Sequence, residues 1–194
     1  MVKKTAIAAI VLFALMGIAN AQTWKVDPAH TSVGFTVRHM VVTKVNGQFT
    51  DFDGEINWDG KDLSKASVTF TVQSKSINTD NEKRDGHLRS ADFFAVDSFP
   101  TLTFTSTKIV PGDGDKFTMT GNLTIRGVTK EVTFDCTFNG TVSAFGGERA
   151  GFSATTTINR QDFKVSWSKT LDSGGLVAGN DVIINLEVEA VKAQ

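Results

Sequence analysis

The chain has 194 residues, with 20 Lys and Arg against 21 Asp and Glu, three His and a formal net charge of −1. That balance argues against nucleic acid or anionic membrane surfaces as partners, since both call for a basic face. Cys136 is the single cysteine, which excludes an intramolecular disulfide, so burial of the chain's apolar residues, with 15 Phe and no Tyr, must hold the fold.

The first segment reads as an export signal. Met1-Val2-Lys3-Lys4 is basic, residues 6–19 are apolar, and Ala19-Asn20-Ala21 offers small residues for cleavage after Ala21. The apolar run falls short of the roughly 20 residues of a membrane span, and no second run of that length follows. The expected product is a periplasmic protein with no integral membrane segment, formed by one domain over residues 22–194. Losing Lys3 and Lys4 makes its net charge about −3.

Beyond the signal the pattern is period two. Val33, Phe35, Val37 and His39 fall on one face, with Gly34, Thr36 and Arg38 opposite. Val68, Phe70 and Val72 repeat this, as do Leu102 and Phe104, then Phe117, Met119, Leu123 and Ile125, then Val132, Phe134, Cys136 and Phe138. Val182, Ile184, Leu186 and Val188 close the series against Asn185, Glu187 and Glu189. Such alternation, rich in Val, Phe and Thr, is the signal of half-buried antiparallel strands. Turns are expected at Asn46-Gly47, Asp53-Gly54, Asp59-Gly60, residues 111–114, Arg126-Gly127, Asn139-Gly140, Gly146-Gly147 and Gly174-Gly175. About eight strands without βαβ alternation point to a barrel or sandwich; the chain is long for a sandwich, and a closed sheet of that size leaves no open edge and can hold one small ligand.

Residues 79–100 break the pattern. Arg84, His87, Leu88 and Ala91 share one helical face, Asp80 is the expected N-cap, Ser90 can cap a second turn through Phe93, and Pro100 stops the helix. Asp85 and Arg89 stand at i, i+4, and the bland expectation is that Arg84 and Arg89 merely pair with Asp85 and Asp92. A short helical insert, at about 80–94, is expected to cap one end of the barrel.

Taken in order, several blocks resemble the YceI-like family of secreted, polyisoprenoid-binding, lipocalin-like proteins. They are Asp27-Pro28-Ala29-His30-Thr31-Ser32-Val33-Gly34-Phe35, Arg38-His39-Met40, Asn46-Gly47-Gln48-Phe49, Ser76-Ile77-Asn78-Thr79 and Arg84-Asp85-Gly86-His87-Leu88-Arg89-Ser90-Ala91-Asp92-Phe93-Phe94. Further on come Phe99-Pro100, Gly121-Asn122-Leu123-Thr124-Ile125-Arg126-Gly127 and Arg160-Gln161-Asp162-Phe163. One departure is Lys164, where the pattern leads one to expect Gly. The resemblance implies an all-β, antiparallel lipocalin-like barrel with an apolar lumen, often a homodimer, that binds an isoprenoid chain or a similar amphiphile such as a quinone. It implies no cofactor beyond the bound lipid and no established catalysis.

Parity makes Phe35, Phe70, Phe104, Phe134 and Phe152 the inward aromatic candidates, with Val37, His39, Leu88, Phe93 and Phe94 beside them as ligand contacts. Arg84, His87, Arg89 and Arg126 are candidates to meet a polar head such as a polyprenyl phosphate or a quinone carbonyl. His30, His39 and His87 show no His-x-His or His-x₃-His spacing, which argues against zinc. His30 is expected to fix the first turn, and Cys136 to be a buried hydrophobe. Two other readings stay open. One is an enzyme acting on an isoprenoid or quinone with His39 or His87 as acid/base. The other is an interaction or stress module whose lumen is filled by side chains.

Overall fold

A computed structural model describes residues 21–172 and 174–193. The expected export signal, apart from Ala21, lies outside the described residues. The strands are β1 (Gln22–Val26), β2 (Ser32–His39), β3 (Thr43–Phe49), β4 (Phe52–Trp58), β5 (Ser67–Gln73), β6 (Ile77–Asn78), β7 (Thr101–Pro111), β8 (Lys116–Ile125), β9 (Val128–Ala144), β10 (Gly147–Asn159) and β11 (Ala178–Lys192). The helix is α1 (Glu82–Arg89).

These segments build an eight-stranded antiparallel barrel, because the early strand paths are broken. β1 and β2 are one path interrupted at Asp27-Pro28-Ala29-His30. Pro28 removes a ladder donor there, and the Asp27 carboxylate accepts the Ala29 N–H at 3.0 Å, which turns the chain. β11 is long enough to serve both halves. It pairs with β2 from Ala178 to Glu187 and with β1 from Ala190 to Lys192. The ring β1-β4-β5-β7-β8-β9-β10-β11 returns to β1, while β2, β3 and β6 prolong the sheet at one end. At that upper end β6 pairs with β3 alone, and residues 79–100, carrying α1, fill the interval before β7.

The period-two faces are inward as expected: Val33, Phe104, Phe117, Met119, Leu123, Ile125, Phe134, Cys136 and Phe152 are buried. Trp24 and Trp58 shut the lower end, their rings 5.6 Å apart, with Phe138 packed edge-on 5.4 Å from Trp58. Three of the expected turns are corrected. Asn46-Gly47 lies within β3, Asp53-Gly54 within β4 and Asn139-Gly140 within β9. The first two glycines make room rather than turns. A Cβ on Gly47 would sit 2.3 Å from Phe35 Cζ, and one on Gly54 2.5 Å from Phe70 Cδ2, each ring lying across its paired strand. Asn139 has no place in the β9–β10 register, which steps from Gly140 opposite Gly151 to Phe138 opposite Phe152, a β-bulge.

Gly121 is pressed by backbone as well as by a ring, since a Cβ there would meet Phe104 Cζ at 2.4 Å and the Thr105 carbonyl oxygen at 2.5 Å. The backbone oxygen cannot swing aside. Gly121→Ala is therefore expected to lower stability by about 1–3 kcal/mol through overpacking, measured by urea unfolding; an unchanged midpoint would show that β7 and β8 separate without cost.

Candidate functional site: a capped apolar lumen

The barrel is not filled. A cavity of about 390 Å³ runs through it, with a surface almost wholly of carbon. A volume of that size falls within the range of sites that take one small ligand. Val33, Phe35 and Val37 of β2, Phe70 and Val72 of β5, Phe104 and Ile109 of β7, Phe134 and Cys136 of β9, Phe152 of β10 and Ile184, Leu186 and Val188 of β11 all reach it.

The cap is built on α1. Asn81, not Asp80, is the N-cap, accepting the Arg84 N–H at 3.0 Å, and Asp80 adopts a left-handed φ of 58° instead. Both residue types can cap, and the turn out of β6 uses Asp80 to reverse the chain. The expected Asp85–Arg89 pair does not form. Asp85 is 5% exposed and turns inward to accept the N–H and hydroxyl of Thr79. Arg84 reaches the same threonine, donating from Nε to Oγ1 and from Nη2 to the carbonyl, both at 2.7 Å. Arg89 donates to the carbonyls of Lys75 and Ile77, both at 2.8 Å. Neither arginine is ion-paired among the described residues, so the pairing expected with Asp85 and Asp92 is overturned: stopped strands leave carbonyls that need donors more than the surface acids need partners.

Arg126, in the tight turn between β8 and β9, donates to the carbonyls of Phe93, Lys164 and Ala91 at 2.7–2.8 Å. It ties the cap to the wall and to the segment after β10. Arg160, 5% exposed, does the same for that segment, donating to the carbonyls of Val165, Trp167, Ala178 and Gly179 at 2.6–3.2 Å. Burial pushes its guanidinium below the ordinary arginine range. Lys164 takes φ 59°, ψ 18°, the left-handed conformation for which glycine would have been expected.

His87 stands between cap and lumen. Its Nε2 is 2.8 Å from Asp92 Oδ2, and its ring packs edge-on to Phe93 at 5.0 Å and Trp167 at 5.2 Å. His39 reaches the same cavity from the end of β2. His30 does not: it pairs with Asp27 at 3.0 Å at the β1–β2 break. That pairing lowers the Asp27 carboxyl, chiefly through His30 and then the Ala29 N–H, and raises His30, chiefly through Asp27. Among the described residues Asp27, His30 and Glu189 form the one group of potential metal ligands, and Arg149 already bonds both acids. His39 and His87 are not part of it.

Of the candidate ligand contacts, Phe35, Val37, His39, Phe70, Arg84, His87, Leu88, Phe93, Phe94, Phe104, Phe134 and Phe152 line this one cavity; Arg126 lies outside it. Sequence reasoning missed Arg160, Phe163, Val165 and Trp167, which reach the lumen from the segment after β10. Their signal was the Arg160-Gln161-Asp162-Phe163 block, which carried the resemblance without suggesting an inward loop.

A closed antiparallel barrel around an apolar, end-capped lumen defines a lipocalin-like class of domain. Residues 24–190 match the YceI-like domain family model. The chain belongs to that family. A UPF0312 protein of Staphylococcus aureus strain MSSA476 is 38% identical over 165 residues, 84% of this chain and 94% of that protein. The structure of a Campylobacter jejuni YceI protein is similar at a TM-score of 0.70 and 36% identity, covering 87% of this chain and 96% of that one. A polyisoprenoid-binding domain from Saccharophagus degradans shares the fold at a TM-score of 0.66 and 12% identity, over 89% of this chain and 99% of that one.

Two outcomes follow from the geometry. Arg160→Met is expected to cost about 3 kcal/mol or more, by leaving several buried carbonyls without donors, with partial rescue in Arg160→Lys; equal urea midpoints for wild type and Met variant would overturn this. Burial, then the Asp135 charge, pushes the Cys136 thiol up to about 12. The native protein should resist aromatic disulfide reagents at mildly alkaline pH and react on unfolding, whereas fast native labelling would show an open wall at β9.

Proposed function

We propose that the protein is an exported carrier of a long-chain amphiphile of the isoprenoid class, and a binding protein rather than an enzyme. The continuous apolar lumen carries this reading. A chain threaded there gains about 0.8 kcal/mol for each CH₂ removed from water, so affinity needs few polar contacts. Kinship supports the same class, since a solved domain of this fold is a polyisoprenoid-binding domain. The tail would lie between the β2, β5, β7 and β9 faces, with the head beneath the cap beside His87 and Thr79. The cavity disfavours a module packed solid by its own side chains.

The lining also favours a neutral head, such as a quinone ring, over a polyprenyl phosphate. The three arginines that line the cavity, Arg38, Arg84 and Arg160, already donate to protein oxygens. Drawing them onto a phosphate would strip carbonyls of their donors. One observation favours an enzyme instead: a histidine oriented by a carboxylate and facing the lumen is the arrangement of a general base. In that reading His87→Ala abolishes conversion of a quinone in cell extracts while leaving its binding intact.

Native mass spectrometry of protein purified from its own host should show a co-purifying lipid. Ala154→Phe, which places a ring in the lumen from β10 opposite Cys136 and Leu186, should weaken uptake of a long-chain prenyl alcohol by about tenfold or more. Empty protein from several preparations, together with no prenyl binding by the wild type, would overturn the carrier.

A further inference from the structure

The β2–β3 hairpin ends in Met40-Val41-Val42, and these side chains are 40%, 56% and 79% exposed. The turn is shaped against its own residues. Met40 and Val41 hold φ of 49° and 67°, and the Val42 N–H returns to the His39 carbonyl at 3.2 Å. Positive φ at both central residues is the geometry that Asn-Gly adopts most readily, and a β-branched residue there is an outlier. The strained form is held from outside. Arg38 Nη1 donates to the Val41 carbonyl at 3.0 Å, and the Met40 N–H donates to the Val177 carbonyl at 3.0 Å. A backbone held in a costly shape that presents apolar groups to water points to a use for them.

Its position names the use. Val37, His39 and Val45 on the two strands, and Val177 and Ala178 beside them, line the lumen. The tip therefore stands on the rim of its upper end. Its charge names the partner. Residues 32–49 carry Arg38, His39 and Lys44 and no acid, and Arg38 and Lys44 face each other across the hairpin. On the adjoining segments Lys169 and Asp172 offset one another, and exposed Asp181 of β11, next to Val37's partner Val182, is the acid on the neighbouring strand. An apolar tip beside exposed Lys44 fits the interface of an anionic bilayer, with the apolar side chains among the acyl chains and Lys44 at the phosphates.

We infer that this tip docks the barrel on an anionic lipid surface, where the lumen takes up or releases its occupant. The inference rests on the carrier reading. A net charge of about −3 once the expected signal is removed opposes lasting adsorption, so the contact is brief and acts on exchange rate rather than residence. Phe145, 97% exposed, lies in the turn between β9 and β10 at the opposite end and is an internal control.

The test follows transfer of a fluorescent long-chain prenyl alcohol to the protein from vesicles of phosphatidylethanolamine and phosphatidylglycerol, compared with vesicles of phosphatidylcholine alone. The double variant Met40→Asn/Val41→Gly relaxes the turn and removes two apolar groups, so it should melt no lower than wild type. It should bind the alcohol equally well when this is added from ethanol, yet acquire it from the anionic vesicles about tenfold more slowly. Lys44→Glu should slow transfer from anionic vesicles alone, and Phe145→Ser should leave it unchanged. Wild-type transfer rates in the double variant, or equal slowing by Phe145→Ser, overturn the docking role. Failure of the wild type to bind the alcohol from ethanol overturns the carrier reading first. A wild-type dimer that the double variant dissociates in sedimentation assigns the tip to a second copy of the chain and overturns the lipid surface.

Discussion

An apolar lumen cannot leave backbone carbonyls dry, and the whole upper half of this protein is arranged around that constraint. Where the ladders run, strand pairing satisfies the backbone. Where they stop, around β6 and after β10, carbonyls remain that water would have to reach. Arginine side chains supply the donors instead. Arg89 serves Lys75 and Ile77, Arg126 serves Ala91, Phe93 and Lys164, and Arg160 serves the segment from Val165 to Gly179. Guanidinium suits this role because its planar fork can donate several bonds in fixed directions. The cap is thus held by charged groups whose hydrogen bonds all point at neutral oxygens.

This arrangement governs what the lumen can recognise. Cations that close the end of a barrel are not free to meet an anion inside it. The polar surface left at the cap is modest: the Thr79 hydroxyl shared between Arg84 and Asp85, and the His87–Asp92 pair against Phe93 and Trp167. Under the proposed carrier reading, affinity comes from the walls and the cap tunes orientation. The lower end, shut by Trp24, Trp58 and Phe138, gives the lumen a direction. That direction makes the exposed β2–β3 turn a feature of the rim and Phe145 a feature of the far side.

The walls were legible because strand parity is a local property. Phe35, Phe70, Phe104, Phe134 and Phe152 could be assigned inward from spacing alone, and they line one cavity. Glycine was less legible, since it serves two ends. Arg126-Gly127 is a turn with φ of 49° and 70°, whereas Gly47 and Gly54 sit in strands beneath aromatic rings. Nothing beside Gly47 in the sequence says that Phe35 will lie across it. The helix was found, but its cap moved from Asp80 to Asn81, and Asp85 turned inward to Thr79 rather than outward to Arg89. Helical spacing gives a pair its opportunity; burial decides which partner it takes.

The sequence by itself determined an all-β chain, the inward faces of the strands over 33–39, 68–72, 102–104, 117–125, 132–138 and 182–188, a helical break near residues 80–94 and a buried thiol. These follow from periodicity, turn chemistry and side-chain size, which act over a few residues. Only the tertiary structure decided that β11 would close the ring by serving both β1 and β2, and that the interior would stay open rather than fill. It also decided that Arg89, Arg126 and Arg160 would hold carbonyls far from them in sequence, in place of acids. Closure, cavity volume and donor assignment depend on the summed lengths, volumes and unpaired groups of distant segments, and no local pattern carries that sum.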